Sequence, residues 1–214
     1  MLPASLRVIA QGALSECKNL KSVKFGEGLE VLGTDEHMDD GQTWSGVFEE
    51  SAVESVELPS TLKRIEYNAF MKCENLKSIR VPEKLECVCK GCFFESALES
   101  IRIPSAVQTI EEAAFSRCKN LTEVVFEEGS SLKTIERETF RLCNNLAKIN
   151  FPEGLERIGA SAFMATGLDN VVLPTSLRTV AQEAFADCAH LRSVKFGEGL
   201  EVLGADQQRG DDES

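Results

Sequence analysis

The amino-acid sequence predicts a β-rich solenoid, a right-handed coil of ~23-residue repeats with parallel strands and few or short helices. Three observations carry that expectation. An apolar string recurs with leading residues Leu6, Leu29, Leu62, Leu85, Val107, Leu132, Leu155, Leu177 and Leu200, at steps of 23, 33, 23, 22, 25, 23, 22 and 23 residues. Within it, Leu76, Ile79 and Val81 fit L-x-x-I-x-V, whose last two members alternate as a strand requires, and Asn75 before them favours a turn. A period of about 20–29 residues with this leucine spacing belongs to leucine-rich solenoids. Finally, the stretch 62–82 carries apolar residues at a spacing that no single helix or strand explains, so one repeat must hold several short elements.

Taken in order, each recurring column has a physical task. Phe48, Phe70, Phe93, Phe115, Phe140, Phe163 and Phe185, with Leu14 in the first coil, should stack inward as a spine. The Ala that precedes most of them leaves room for a tight turn. Pro59, Pro82, Pro104, Pro152 and Pro174 end strands, where a missing N–H does least harm, and Gly28, Gly129, Gly154 and Gly199 serve the adjoining turns. Cys17, Cys73, Cys118, Cys143 and Cys188 share one column three residues after the Phe or Leu14, replaced in short coils by Ser51, Ser96 and Thr166 nearby. A column that exchanges with Ser reads as free thiols packing like small hydrophobes rather than as halves of obligatory disulfides.

The unit resembles the BspA-like family of leucine-rich repeats, roughly I-x-x-x-A-F-x-x-C-x-x-L-x-x-I-x-I-P. Ile65, Ala69, Phe70, Cys73, Leu76, Ile79, Val81 and Pro82 stand at the marked positions. The resemblance covers essentially everything except 34–45 and 205–214. It implies an interaction module, in a family often found on bacterial and protist surfaces, and it implies no common ligand.

One elongated domain is expected over 1–204, with about eight full coils, partial ends and an insertion at 34–45, followed by an acidic polar tail at 205–214. SVKFGEGLEVLG occurs at 22–33 and unchanged at 193–204, which suggests a duplicated block of seven coils and a segment of a longer array. A net charge of −12 argues against nucleic acid. No apolar run of about 18 residues exists to span a membrane. Without a basic, apolar leader and with unpaired cysteines, an intracellular setting is favoured for the chain as given, with surface exposure the alternative if it is a fragment of a larger protein.

Chemical motifs are sparse. Cys87-Val88-Cys89-Lys90-Gly91-Cys92 has C-x-C-x-x-C spacing that could begin a metal or redox site, against the plainer reading of chance thiols on a turn. His190 stands where other coils carry Asn, and His37 lies in the acidic insertion with Asp39 and Asp40, which lack the alternation of a calcium loop. Arg209-Gly210-Asp211 spells an adhesion tripeptide in the tail and reads as chance. No catalytic or cofactor fingerprint appears, so no enzyme and no cofactor are expected.

Function therefore rests on the outward residues of the L-x-x-I-x-V strands. Lys21, Lys24, Lys77, Arg80, Arg102, Lys148, Arg192 and Lys195 face Glu54, Glu57, Glu99, Glu123 and Asp169, a face of net +3 on an acidic chain. Cross-strand pairing accounts for part of this; the alternative is a surface for an acidic protein partner. Candidate contacts are Lys21, Lys24, Lys77, Arg80, Arg102, Arg192 and Lys195, together with Trp44, which either folds back as a lid or meets a partner. The expected function is a non-enzymatic protein-interaction scaffold. The alternatives are a metal- or redox-linked protein using Cys87, Cys89 and Cys92, and a structural spacer.

Overall fold

The computed structural model describes residues 2–33 and 45–204. Fifteen strands follow in chain order among the described residues: β1 (Ser22–Lys24), β2 (Val31–Leu32), β3 (Ser55–Glu57), β4 (Arg64–Ile65), β5 (Cys87–Val88), β6 (Ser100–Ile103), β7 (Thr109–Ile110), β8 (Glu123–Phe126), β9 (Thr134–Ile135), β10 (Lys148–Asn150), β11 (Arg157–Ile158), β12 (Asn170–Val172), β13 (Thr179–Val180), β14 (Ser193–Lys195) and β15 (Val202–Leu203). No helix occurs among these residues. Every strand pair is parallel, and residues one coil apart are partners, as in Ile101 beside Val124 and Ile158 beside Val180. The solenoid expected from the repeat is the fold observed.

Each coil contributes to three ladders. The first joins the longer strands as β1-β3, β6-β8-β10 and β12-β14. The second is a continuous sheet of two-residue strands, β2-β4-β5-β7-β9-β11-β13-β15, which the sequence reading left unassigned. The third contains no strand. Around each core Phe, alternate N–H groups bond to carbonyls of the next coil: Ala113 to Arg137 at 3.0 Å, Phe115 to Thr139 at 2.9 Å, and Arg117 to Arg141 at 2.7 Å. Ala113 and Arg117 reach this geometry with φ of 55° and 60°, a left-handed conformation costing roughly 1 kcal/mol or more per L-residue. The inter-coil bonds and the burial of the Phe between them offset that cost.

The Phe spine forms as expected. Rings of Phe48, Phe70, Phe93, Phe115, Phe140, Phe163 and Phe185 follow one another at 5.2–5.3 Å between centroids, nearly parallel, with Phe140 and Phe163 rotated most, at 17°. The first six are fully buried; Leu14 and Phe185 are half-buried where they continue the column. The cysteine column lies alongside. Cys73, Cys118, Cys143 and Cys188 each point Sγ at the carbonyl of the preceding coil's Phe, at 3.0–3.1 Å. Where a short coil carries Ser96 or Thr166 instead, its hydroxyl meets the next coil's Cys Sγ at 3.4 or 3.2 Å. A thiol and a hydroxyl can share this column because both give a weak or moderate donor to the same line of carbonyls.

Prolines do more than end strands. The carbonyls of Pro59, Pro82, Pro104, Pro152 and Pro174 accept the N–H of Leu62, Leu85, Val107, Leu155 and Leu177, closing the turn into each short strand at 3.0–3.2 Å.

One expectation needs correction. Leu76 to Val81 does not form a strand, and the first ladder is open there. The side chains still alternate, with Leu76 and Val81 buried, Ile79 half-buried, and Ser78 and Arg80 exposed. Backbone contact to the next coil is kept by Glu99 N–H to Lys77 O at 2.9 Å. A second opening lies between β10 and β12.

Candidate functional site

The long-strand face presents side chains in columns because the parallel register aligns them across coils. At its N-terminal half these columns are charged and satisfy one another. Lys21 bonds Glu54 at 2.5 Å, Lys24 pairs with Glu57, and Lys77 lies 3.3 Å from Glu99. Arg102 reaches Glu127 at 3.5 Å. Such exposed pairs contribute roughly 0–1 kcal/mol to stability, but they leave little net field outside. Of the sequence-derived contact residues, Arg80, Arg192 and Lys195 alone have no ion pair among the described residues. Trp44 and nearly all of the insertion lie outside the described residues.

The C-terminal half is different. Its outward column runs Val125, Asn150, Val172 and Lys195, and Val172 is 66% exposed. Here the ladder opens between β10 and β12, and a groove of about 490 Å³ is lined by Val125, Ile149, Asn150, Phe151 and Asn170, with Glu123 and Lys148 as its charged members. Two local features accompany the opening. The Asn150 side-chain amide caps the Phe126 backbone, donating to its carbonyl and accepting from its N–H, both at 2.8 Å. The Phe151 ring lies edge-on to Phe163 at 5.4 Å, at the same junction where the Phe spine rotates. Lys195 is on the last described long strand, β14, and Arg192 immediately precedes it. Counting charges missed Val125, Val172 and Asn150, although all three follow from reading down the outward column.

A second groove, of about 550 Å³, marks the opening at 76–81. Arg80 lines it with Glu27, Glu57, Glu83 and Lys84 beside Leu58, so its rim is charged.

The thiol motif divides. Cys92 fills the small-residue column next to Phe93, belongs to the core and is fully buried. Cys87 and Cys89 flank Val88 at the short-strand sheet and point the other way, with Sγ atoms 3.4 Å apart. Stacking brings side chains of adjacent coils to them: Glu66 Oε2 is 3.3 Å from Cys89 Sγ, and Glu111 Oε1 is 3.7 Å from Cys87 Sγ. The Arg64 guanidinium lies 3.3 Å from Cys89 Sγ and donates to Glu66 Oε1 at 2.7 Å. The hydrogen bond from Cys89 holds the Cys87 thiol below its ordinary value, while the same bond and burial push Cys89 up. C-x-C-x-x-C therefore grouped the wrong third residue. Glu66 and Glu111 are 23 and 22 residues from Cys89, one coil on either side, and no contiguous motif contains them.

Comparison with known proteins agrees with the repeat fold. The family model for a BspA type leucine rich repeat region, in six copies, matches residues 1–36, 43–163 and 127–207. No curated protein matches the chain. Among solved structures, a leucine-rich repeat protein from Bacteroides ovatus is similar at 21% identity and a TM-score of 0.57, covering 92% of this chain and 64% of that one. The T. pallidum leucine rich repeat protein is 26% identical at a TM-score of 0.62, over 77% of this chain and 74% of that one. The pneumococcal vaccine antigen PcpA is 19% identical at a TM-score of 0.60, over 88% of this chain and 57% of that one. The chain thus spans less than two thirds of the Bacteroides ovatus protein and of PcpA. With the family's repeat matched over nearly its whole length and the coil found in its structure, the chain belongs to the BspA type leucine-rich repeat proteins.

Proposed function

We propose that the chain is a non-enzymatic scaffold that binds a protein partner across its long-strand face, centred on the groove between β10 and β12. The supporting observation is the change in character along that face. In the N-terminal half, Arg80 apart, a partner must desolvate charges that already have partners, which costs free energy with little return. In the C-terminal half Val125, Val172 and the Asn-lined groove can be covered cheaply, and burial of apolar surface contributes about 25 cal/mol per Å². Arg192 and Lys195, without ion pairs among the described residues, stand at its margin. The partner segment that fits is apolar and flanked by acidic residues, since complementary charge steers encounter and fixes register. The domain reading, one solenoid over 1–204 and part of a longer array, belongs to the same proposal.

Selection of random peptides displayed against the purified protein tests this. Apolar sequences with acidic flanks should be enriched, and Val172→Glu should weaken their binding at least tenfold, because an exposed Val can be changed without unfolding the chain. Lys21→Ala, in the self-paired half, should leave binding unchanged. Binding insensitive to Val172→Glu, or no enrichment at all, overturns the proposal.

A further inference from the structure

The environments of the thiols differ. Cys73, Cys118, Cys143 and Cys188, in the column beside the Phe spine, each give their S–H to a main-chain carbonyl, as Cys118 does to Phe93 at 3.0 Å. Cys87 and Cys89 have no such acceptor. Their sulfurs face each other and two carboxylates. We propose that Cys87, Cys89 and Glu111 form a binding site for a thiophilic divalent cation, zinc(II) foremost, on the short-strand side of the solenoid. This goes beyond the strand-face reading and does not depend on it.

Geometry is the main support. One ligand atom from each of the three residues lies within 4.8 Å of the other two. A tetrahedral zinc with Zn–S near 2.3 Å and Zn–O near 2.1 Å has ligand–ligand edges of about 3.8 Å for S···S and about 3.6 Å for S···O. The corresponding separations here are 3.4 Å between the sulfurs and 3.7 Å from Cys87 Sγ to Glu111 Oε1. Two edges of the triangle thus match coordination geometry, and the third, from Cys89 Sγ to the Glu111 carboxylate, is within 4.8 Å.

The carboxylates are also held in place. Lys90 N–H donates to Glu111 Oε2 at 2.9 Å, which leaves Oε1 directed at Cys87. Arg64 holds Glu66 Oε1, which leaves Oε2 beside Cys89. Outer partners of this kind fix the orientation of metal ligands and raise affinity. Glu66 is outside the mutual set of three, so it acts as an outer partner and the fourth position falls to water. The surroundings suit a cation: one guanidinium faces two thiols and two carboxylates, and exchanging two protons for one divalent cation leaves the net charge of the cluster unchanged. Binding is a proton exchange without oxidation. Two S–H bonds break, two Zn–S bonds form, and two protons leave to solvent.

The test uses the whole chain, reduced and freed of metal with chelator. Titration with zinc chloride should show one tightly bound equivalent accompanied by proton release. Cobalt(II) should give a thiolate-to-metal charge-transfer band, which zinc then abolishes. Cys87→Ser and Cys89→Ser should each remove the band, and Glu111→Gln should lower affinity at least tenfold. Cys118→Ser should change neither. Folding of each variant is checked by its circular dichroism. Absence of a stoichiometric site, binding that survives Cys87→Ser in a folded variant, or binding indifferent to Glu111→Gln overturns the proposal.

Discussion

Phe115→Ala should destabilise the protein by about 3–5 kcal/mol, the usual penalty for truncating a fully buried aromatic side chain. Phe115 is in the middle of the spine, stacked between Phe93 and Phe140 at 5.2 and 5.3 Å, so its loss opens a cavity flanked by rings on both sides. Relaxation is limited because the backbone on either side is tied to the next coil by the N–H groups of Ala113, Phe115 and Arg117. Phe94→Ala is the matched control. Its ring is half-buried on the outer side, with the Arg117 guanidinium 5.8 Å from the centroid, and truncation should cost far less. Urea denaturation of both variants decides the matter. Equal losses at the two positions contradict the spine.

Stability should fall steeply as pH rises from about 9 towards 12. Burial pushes the Cys73 and Cys118 thiols up to about 12 from an ordinary 9.0, and it raises Cys92 and Cys143 as well. An acid whose pKa is higher in the folded state stays protonated there while the unfolded chain ionises. Above pH 9 the unfolded state therefore binds fewer protons, and ΔG of unfolding drops by about 1.4 kcal/mol per pH unit for each such thiol. Below the ordinary thiol value the effect vanishes. Cys118→Ala should reduce the slope of stability against pH between 9 and 11 by about one proton, whatever its baseline cost. Denaturation series at several pH values under reductant measure this. A slope unchanged by the substitution contradicts the burial of that thiol.

The fold was legible where one residue type, or a close substitute, repeats in every coil. The Phe column and the thiol column each have a single task, so the same chemistry returns every 22–25 residues and the spacing alone reveals it. The second sheet was not legible. Its strands are two residues long, as in Arg64–Ile65 and Thr109–Ile110, too short for alternation to show. Nor were the openings in the first ladder: Leu76, Ile79 and Val81 have the same alternation as residues that do pair, and backbone pairing is decided by neighbouring coils rather than by local pattern. Cross-strand pairing on the contact face was expected, but which charges it takes up was not legible; those of Lys21, Lys24 and Lys77 are paired. Their partners Glu54, Glu57 and Glu99 belong to the coil stacked next to each. The thiol cluster shows the same limit. Cys92 is close in sequence but turned into the core, whereas Glu66 and Glu111 are close only once the coils are stacked.

Amide hydrogen exchange, with and without a peptide selected for binding, is the most direct test of where this scaffold meets its partner. The expected result is slowed exchange at 123–126, 148–151 and 170–173, the strands around the groove, with the N-terminal long strands unchanged. Protection confined to 22–24 and 55–57, or to the Phe-bearing turns, would contradict the assignment of the contact face.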